Sequence, residues 1–154
     1  MNSIFLHGRK IFSLAMNKVL VSALIAQLTS QLFKVFYPLL KKQKPDLTKI
    51  NAYGGFPSAH TAFISGATFS LGFSTGFNSP IFGFAVVVSI IIISDIIVIR
   101  SKLYENILIT YEIAKKLNIE KKENENFKNH TPFDVIFGIL YGFFISFIVH
   151  ILWK

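Results

Sequence analysis

Two short motifs place histidines at predicted helix starts. In residues 54–61, Gly-Gly-Phe-Pro-Ser-Ala-His-Thr, Ser58 is a good N-cap for a helix that begins at Ala59, and His60 falls in its first turn. Gly55 lets the backbone approach a ligand, and the N–H groups of a helix start suit an anion. A histidine there adds a proton donor that works near neutral pH. The alternative interpretation is structural only: a flexible turn, a cap and an interfacial histidine.

The second motif, His-Thr-Pro-Phe-Asp, starts at His130 and precedes the last apolar stretch. Thr131, Pro132 and Asp134 predict a helix start with a cap, a first-turn proline and an acid at the capping-box position. Asp134 therefore has a structural role available to it. His130 and Asp134 are four residues apart, a spacing that stacks them on one face only if the helix includes His130.

Four further charged residues lie in or beside apolar stretches: Lys34, Lys41, Asp95 and Arg100. A carboxylate inside a membrane span is costly and usually has a partner, although Asp95 could instead reach the membrane interface. Asp95 and Arg100 are separated by about 140° around a helix, so each is expected to face a different group of one site rather than the other. Lys34 is expected to snorkel towards the end of its span.

The composition is that of a membrane protein. The chain has 154 residues, enough for one domain, and is 52% hydrophobic with 17 phenylalanines. Four apolar stretches are long enough to cross a bilayer, and residues 102–117 have the periodicity of an amphipathic helix lying on the membrane surface. We therefore predict an all-α, polytopic bundle with about four transmembrane helices. The predicted spans are residues 19–40, 61–77, 81–99 and 135–153.

The N-terminal residues 1–16 are basic and acid-free, which fits a targeting segment. They lack a clear apolar core with a small-residue cleavage site, and Met16 offers an alternative start immediately before the first span. We accordingly divide the chain into an N-terminal extension, residues 1–16, and a membrane domain, residues 17–154.

The net charge of +8 is explained by the membrane better than by nucleic acid, because the lysines sit in loops beside spans. No basic motif interleaved with aromatic residues suggests RNA or DNA as a partner, and the absence of cysteine excludes thiol chemistry. Loops 41–60 and 100–130 carry most of the lysines, so the positive-inside rule predicts that both are cytoplasmic. That topology brings both histidine motifs, the cations and Asp95 to one membrane face, an arrangement that suits phosphate.

At these residues the sequence resembles the divergent branch of the type-2 phosphatidic acid phosphatases, a group also called acid phosphatase/vanadium-dependent haloperoxidase-related. The resemblance covers about residues 17–152. The segments that carry it are Gln-Leu-Phe-Lys ending at Lys34, the motif 54–61, Asp95 with Arg100, and the motif 130–134.

The resemblance implies a metal-independent membrane phosphatase that needs no cofactor and acts on a lipid phosphate or isoprenoid diphosphate. His130 would be the nucleophile that takes the phosphoryl group, Asp134 would orient it, and His60 would protonate the leaving oxygen. Asp95 would support the groups that hold the phosphate. Those groups would be Lys34, Lys41, Gly55, Ser58, Ala59 and Arg100.

Some positions depart from the superfamily pattern. Ala59 replaces a glycine, Lys41 stands where an arginine–proline pair is expected, and a long insertion separates Arg100 from His130. A non-catalytic relative that binds anionic lipid head groups, or serves membrane organisation or transport, is the alternative these departures favour. A third alternative is a metal site built from His60, His130, Asp134 and Asp95, whose ligand types suit a hard or borderline cation. Membrane lipids are expected partners, and a small bundle is compatible with a homodimer.

Overall fold

The computed structural model describes residues 17–51, 55–119 and 131–153. Within these ranges the chain forms four α-helices and two short 3₁₀ helices, with no β-strand. The predicted all-α fold is confirmed. The α-helices are α1 (Lys18–Phe36), α2 (Ala59–Thr75), α3 (Pro80–Lys116) and α4 (Pro132–Leu152), and the 3₁₀ helices Tyr37–Lys41 and Leu47–Asn51 follow α1.

Helix starts are set by side-chain caps, as the sequence predicts. The hydroxyl of Ser58 accepts from the N–H of Thr61 at the start of α2. Ser79 caps α3 in the same way, with Pro80 as the first helical residue after the short turn that begins at Gly76. Each cap satisfies an N–H group that would otherwise lack a partner at the end of a helix.

Helix α2 is the centre of the bundle and packs mainly on α4 and α1, with a smaller contact to α3. Its small residues are buried, which confirms the close packing expected of such spacing: Ser65, Gly66, Thr68, Ser70 and Gly72. At Gly66 a Cβ atom would stand 3.1 Å from the Cβ of Ala26 and 3.2 Å from the carbonyl oxygen of Ser22. The backbones of α1 and α2 therefore approach each other where side chains are smallest.

The protein is an integral membrane protein. Among the described residues, three segments are long and apolar enough to cross a membrane: Lys18–Leu40, Pro80–Lys116 and Pro132–Leu152. Their large apolar side chains are exposed on the outside of the bundle, as lipid-facing residues are. Helix α2 has 17 residues, and its crossing of the membrane remains a prediction from the sequence.

Helix α3 differs from the expected arrangement in one respect. The amphipathic segment predicted over residues 102–117 is helical to Lys116, but it continues the third span without a break, giving one helix of 37 residues. Neither glycine nor proline interrupts the chain between Gly83 and Lys116, so nothing in the sequence ends the helix at Arg100. A helix of this length measures about 55 Å, well beyond a hydrocarbon core of about 30 Å, so its C-terminal part extends past the core.

A buried hydroxyl pair joins α2 to α3. The hydroxyls of Thr68 and Ser89 are 2.7 Å apart, and both residues are buried. We expect Thr68→Val and Ser89→Ala each to lower thermal stability in detergent, and the double variant to lose less than the sum of the two. The coupling should be about 0.6 kcal/mol, the size typical of such bonds between membrane helices. Strictly additive losses would show that the pair contributes nothing.

Candidate functional site

The N-terminal ends of α2 and α4 meet directly. The N–H of Ser58 donates to the carbonyl oxygen of Asp134 over 3.1 Å, which joins the cap of α2 to the first turn of α4. Gly138 permits this contact, since a Cβ atom at that position would come within 2.7 Å of the carbonyl oxygen of Ser58. Two helix starts, each with a positive dipole end, are thereby brought to one place.

Asp134 closes a capping box at the start of α4. Its Oδ2 accepts from the N–H of Thr131 at 2.8 Å, while its own N–H donates to the hydroxyl of Thr131. The side chain is buried, at 8% exposure. Stacking of His130 and Asp134 on one helix face was expected only for a helix that includes His130, and α4 begins at Pro132. His130, the predicted nucleophile, lies outside the described residues.

Lys34 does not snorkel to the end of α1. Its side chain is buried, at 7% exposure, and the charges of Arg100 and Asp134 both act on it. A buried cation is costly, and a second cation beside it raises that cost. The carboxylate of Asp134, which already accepts a hydrogen bond in the capping box, partly compensates the buried positive charge of Lys34. Lys34 is therefore a buried cation whose charged form Asp134 favours and Arg100 opposes.

The loop after α1 folds back onto that helix near Lys34, at Val35 and Gln31. The N–H of Asp46 donates to the carbonyl oxygen of Val35 at 3.1 Å, and the side-chain amide of Gln31 donates to the carbonyl oxygen of Ile50 at 2.8 Å. Lys41 stands at the end of the 3₁₀ helix Tyr37–Lys41, and its side chain lies outside what the structure describes. Its predicted phosphate contact stays a prediction.

An aromatic cluster around Phe56 holds the glycine-rich loop against α1 and α4. The ring of Phe56 contacts Phe33, Tyr37, Phe133 and Phe137, with centroid distances between 4.9 and 6.2 Å. The sequence reasoning missed this cluster. The sequence did contain a signal for it. Phe33 and Tyr37 are four residues apart, as are Phe133 and Phe137, and that spacing places side chains together on a helix.

The first turn of α2 offers donors to a ligand. Gly55 has φ +85°, a conformation that glycine adopts readily, and leads the chain into that turn. Ser58 is wholly buried, with its N–H bonded to Asp134, so phosphate binding by Ser58 itself would require that bond to break. The N–H groups of Ala59 and His60 have no acceptor among the described residues and remain available.

His60 lies just before the predicted span, at residues 61–77. Partial burial, followed by the positive charges of Arg100 and Lys34, lowers the pKa of His60. The imidazole is thereby biased towards its neutral form in the ligand-free protein. A bound phosphate would oppose this effect with its negative charge and favour the protonated imidazole that a proton donor needs.

Asp95 and Arg100 flank one cavity between α2 and α3, together with His60. Its volume is about 390 Å³, and apolar side chains form the rest of its wall: Phe63, Ile64, Ile92, Ile96 and Ile99. Both residues line this cavity, and the expectation that they face different groups of one site stays a prediction. The apolar wall was not predicted, although its isoleucines on α3, Ile92, Ile96 and Ile99, recur at four- and three-residue intervals.

The alternative of a metal site gains no geometric support in the described ranges. Across residues 17–51, 55–119 and 131–153, no three His, Asp or Glu side chains are grouped as metal ligands are. Since His130 lies outside those ranges, the four-residue set that includes it remains untested.

The site is thus a buried, cation-rich place where two helix starts meet within a helical membrane bundle. A sequence model described as the divergent PAP2 family matches residues 15–145, and the chain belongs to that family. The chain is also similar to an uncharacterized membrane protein of Bacillus subtilis (strain 168), YuiD. The two are 23% identical over 148 residues, which cover 86% of this chain and 94% of the relative. No solved structure matches.

Proposed function

We propose that this protein is a membrane phosphatase that hydrolyses a lipid phosphate or diphosphate through a phosphohistidine intermediate on His130. The observation that carries the proposal is the buried Lys34, on which the charges of Arg100 and Asp134 both act, since Asp134 belongs to the contact between the starts of α2 and α4. Fixed positive charge and helix N–H groups stabilise the charge that develops on a transferring phosphoryl group. Membership of the divergent PAP2 family supports the same reaction class.

In the proposed reaction, an imidazole nitrogen of His130 attacks phosphorus, and the bond from phosphorus to the lipid oxygen breaks. His60 gives a proton to the leaving oxygen. Water then attacks the phosphohistidine, His60 takes a proton from that water, and inorganic phosphate leaves with His130 restored. Lys34, Arg100 and the N–H groups of α2 hold the phosphate oxygens in both steps. Asp134 has a second carboxylate oxygen, which would accept a hydrogen bond from His130.

The direct test is phosphate release by the purified full-length chain from vesicles that contain lipid phosphates or isoprenoid diphosphates, with EDTA present. We expect release from at least one lipid, with no loss when the chelator is added. A protein that is folded in detergent and yet releases no phosphate from any lipid would contradict the proposal.

A second function, the binding of anionic lipid head groups without turnover, is favoured by one observation. Asp134 already uses one carboxylate oxygen in the capping box, a structural role that a binding protein would retain without catalysis. Vesicle binding that weakens in Arg100→Gln, with no phosphate released, would support this second function. We further propose that both basic loops are cytoplasmic, which would place the site at that face.

Lys34 allows stability and ligand binding to be separated. We expect Lys34→Met to raise the melting temperature of the ligand-free protein, because it removes a buried charge that lies beside Arg100. The gain should be on the order of 1 kcal/mol, since apolar replacement of buried charges is often stabilising. The same variant should bind vesicles that contain lipid phosphate at least about tenfold more weakly. Measurement of melting temperature and vesicle binding on one preparation checks both expectations, and a less stable variant with intact binding would refute them.

A further inference from the structure

The cavity between α2 and α3 has a polar end and an apolar end. Thr68 and Ser89 touch, and α2 and α3 run antiparallel through the turn that joins them. Each residue rises by the same distance along either helix, so residues equally far from the Thr68–Ser89 pair lie at the same height. Arg100 is therefore level with Pro57, at the start of α2. By the same count, Asp95 is level with Ala62 and therefore lies farther from the helix start than His60. Phe63, Ile64 and Ile92 continue the groove beyond Asp95 towards the bundle's middle, and Ile96 and Ile99 lie between Asp95 and Arg100.

Asp95 occupies an unusual position in this groove. Its side chain is exposed and lines the groove, within the apolar part of α3. Among the described residues it has neither a hydrogen bond nor an ion pair. A carboxylate within a span is costly without a partner, and groups of this kind usually mark a ligand pathway. The protein thus presents an unpaired acceptor that a ligand can satisfy.

The height of Asp95 indicates which part of a ligand it would meet. Arg100 and His60 belong to the end where phosphate is proposed to bind, and Asp95 is about 7.5 Å farther along the axis of α3 than Arg100. Both residues line the same cavity, so a lipid whose phosphate meets Arg100 would bring the first atoms beyond its phosphate towards Asp95. The apolar wall then surrounds whatever chain follows.

We propose that this groove binds a single-chain lipid phosphate with an ammonium group next to the phosphate, and that Asp95 selects it. This inference rests on the proposed function for the phosphate end alone. An ammonium group neutralises the carboxylate, whereas a hydroxyl would bond to it and leave its charge uncompensated. A cavity of about 390 Å³ falls near the lower end of the usual range for ligand sites, which fits one chain better than two.

The test compares two lipids that differ in one group. Sphinganine 1-phosphate carries the ammonium, and an analogue with hydroxyl in place of that amino group serves as its match. Binding of each lipid to the full-length chain in nanodiscs would be measured for wild type, Asp95→Asn and Glu105→Gln. Glu105 is an exposed acid on the same helix and does not line the cavity, which makes it the matched control.

We expect the wild type to bind the amino lipid about tenfold more tightly than the hydroxyl lipid, as a charge-assisted bond predicts. Asp95→Asn should reduce the ratio to about twofold or less, and Glu105→Gln should keep it. Equal binding of both lipids by wild type, or preference for the hydroxyl, would overturn the proposal without recourse to any variant. A preference that persists in Asp95→Asn would remove Asp95 as its cause.

Binding and turnover separate the two proposals. An ammonium preference in binding, with no phosphate released from these two lipids or from any other lipid phosphate or isoprenoid diphosphate, would contradict the phosphatase and leave the selected ligand standing. Phosphate release from both lipids at equal rates, with equal binding, would support the phosphatase and contradict the selection of an ammonium group by Asp95.

Discussion

His130→Ala is expected to abolish phosphate release, with a fall on the order of a thousandfold or more. Loss of the nucleophile removes the covalent step, and the remaining cations and N–H groups contribute only binding and charge stabilisation. The measurement is single-turnover release from a lipid labelled on its phosphate. Wild type should also carry transient label on the protein that is stable in base and lost in acid, as a phosphorus–nitrogen bond to imidazole requires. His130→Ala should carry none.

His150→Phe is the matched control. His150 lies near the other end of α4, its ring packs against Phe73 at a centroid distance of 5.6 Å, and its buried Nδ1 has no partner among the described residues. Phenylalanine keeps the ring and removes the unpaired nitrogen, so turnover should be unchanged. Labelled, active His130→Ala protein would refute the proposed nucleophile. Loss of activity in both variants would point to folding instead.

The sequence predicts the helices of this protein well because their ends have local causes. Ser58, Ser79 and Thr131 are caps whose partners lie three residues away, so no tertiary information is needed to find them. The continuous α3 shows the limit of that approach. An amphipathic period after Arg100 indicates a helix, but whether it turns at the membrane surface depends on a break that the sequence does not contain.

In the candidate site, too, features with a local cause could be predicted from the sequence, and features that depend on tertiary contacts could not. Histidine motifs at helix starts can be found by inspection, and a carboxylate in a span attracts notice from its cost alone. The burial of Lys34 could not be predicted, because a lysine in that turn can equally extend to the interface. The groups that act on the buried Lys34 are Arg100 and Asp134, which lie on two other helices. Contacts between segments so far apart in the sequence leave no local pattern in residue types.

Gly142→Ala is expected to destabilise the bundle by about 3 kcal/mol or more, the upper end of the usual cost of overpacking. A Cβ atom at this position would stand 2.6 Å from both the carbonyl oxygen of Ala62 and the amide nitrogen of Gly66. Those atoms belong to the backbone of α2, so no side chain can rotate away, and the two helices must separate. The measurement is the melting temperature in detergent, supported by the yield of folded protein.

Gly83→Ala is the matched substitution in α3, where a Cβ atom would have no neighbour within 4 Å. Alanine favours a helix over glycine by about 1 kcal/mol, so this variant should be as stable as wild type or more stable. The two identical chemical changes are thus expected to act in opposite directions, because only one of them meets α2. If Gly142→Ala and Gly83→Ala have the same melting temperature, the close contact between α2 and α4 is wrong. The approach of the two helix starts, on which the proposed site depends, would then be wrong as well. If Gly142→Ala alone loses stability, the close contact between α2 and α4 is supported.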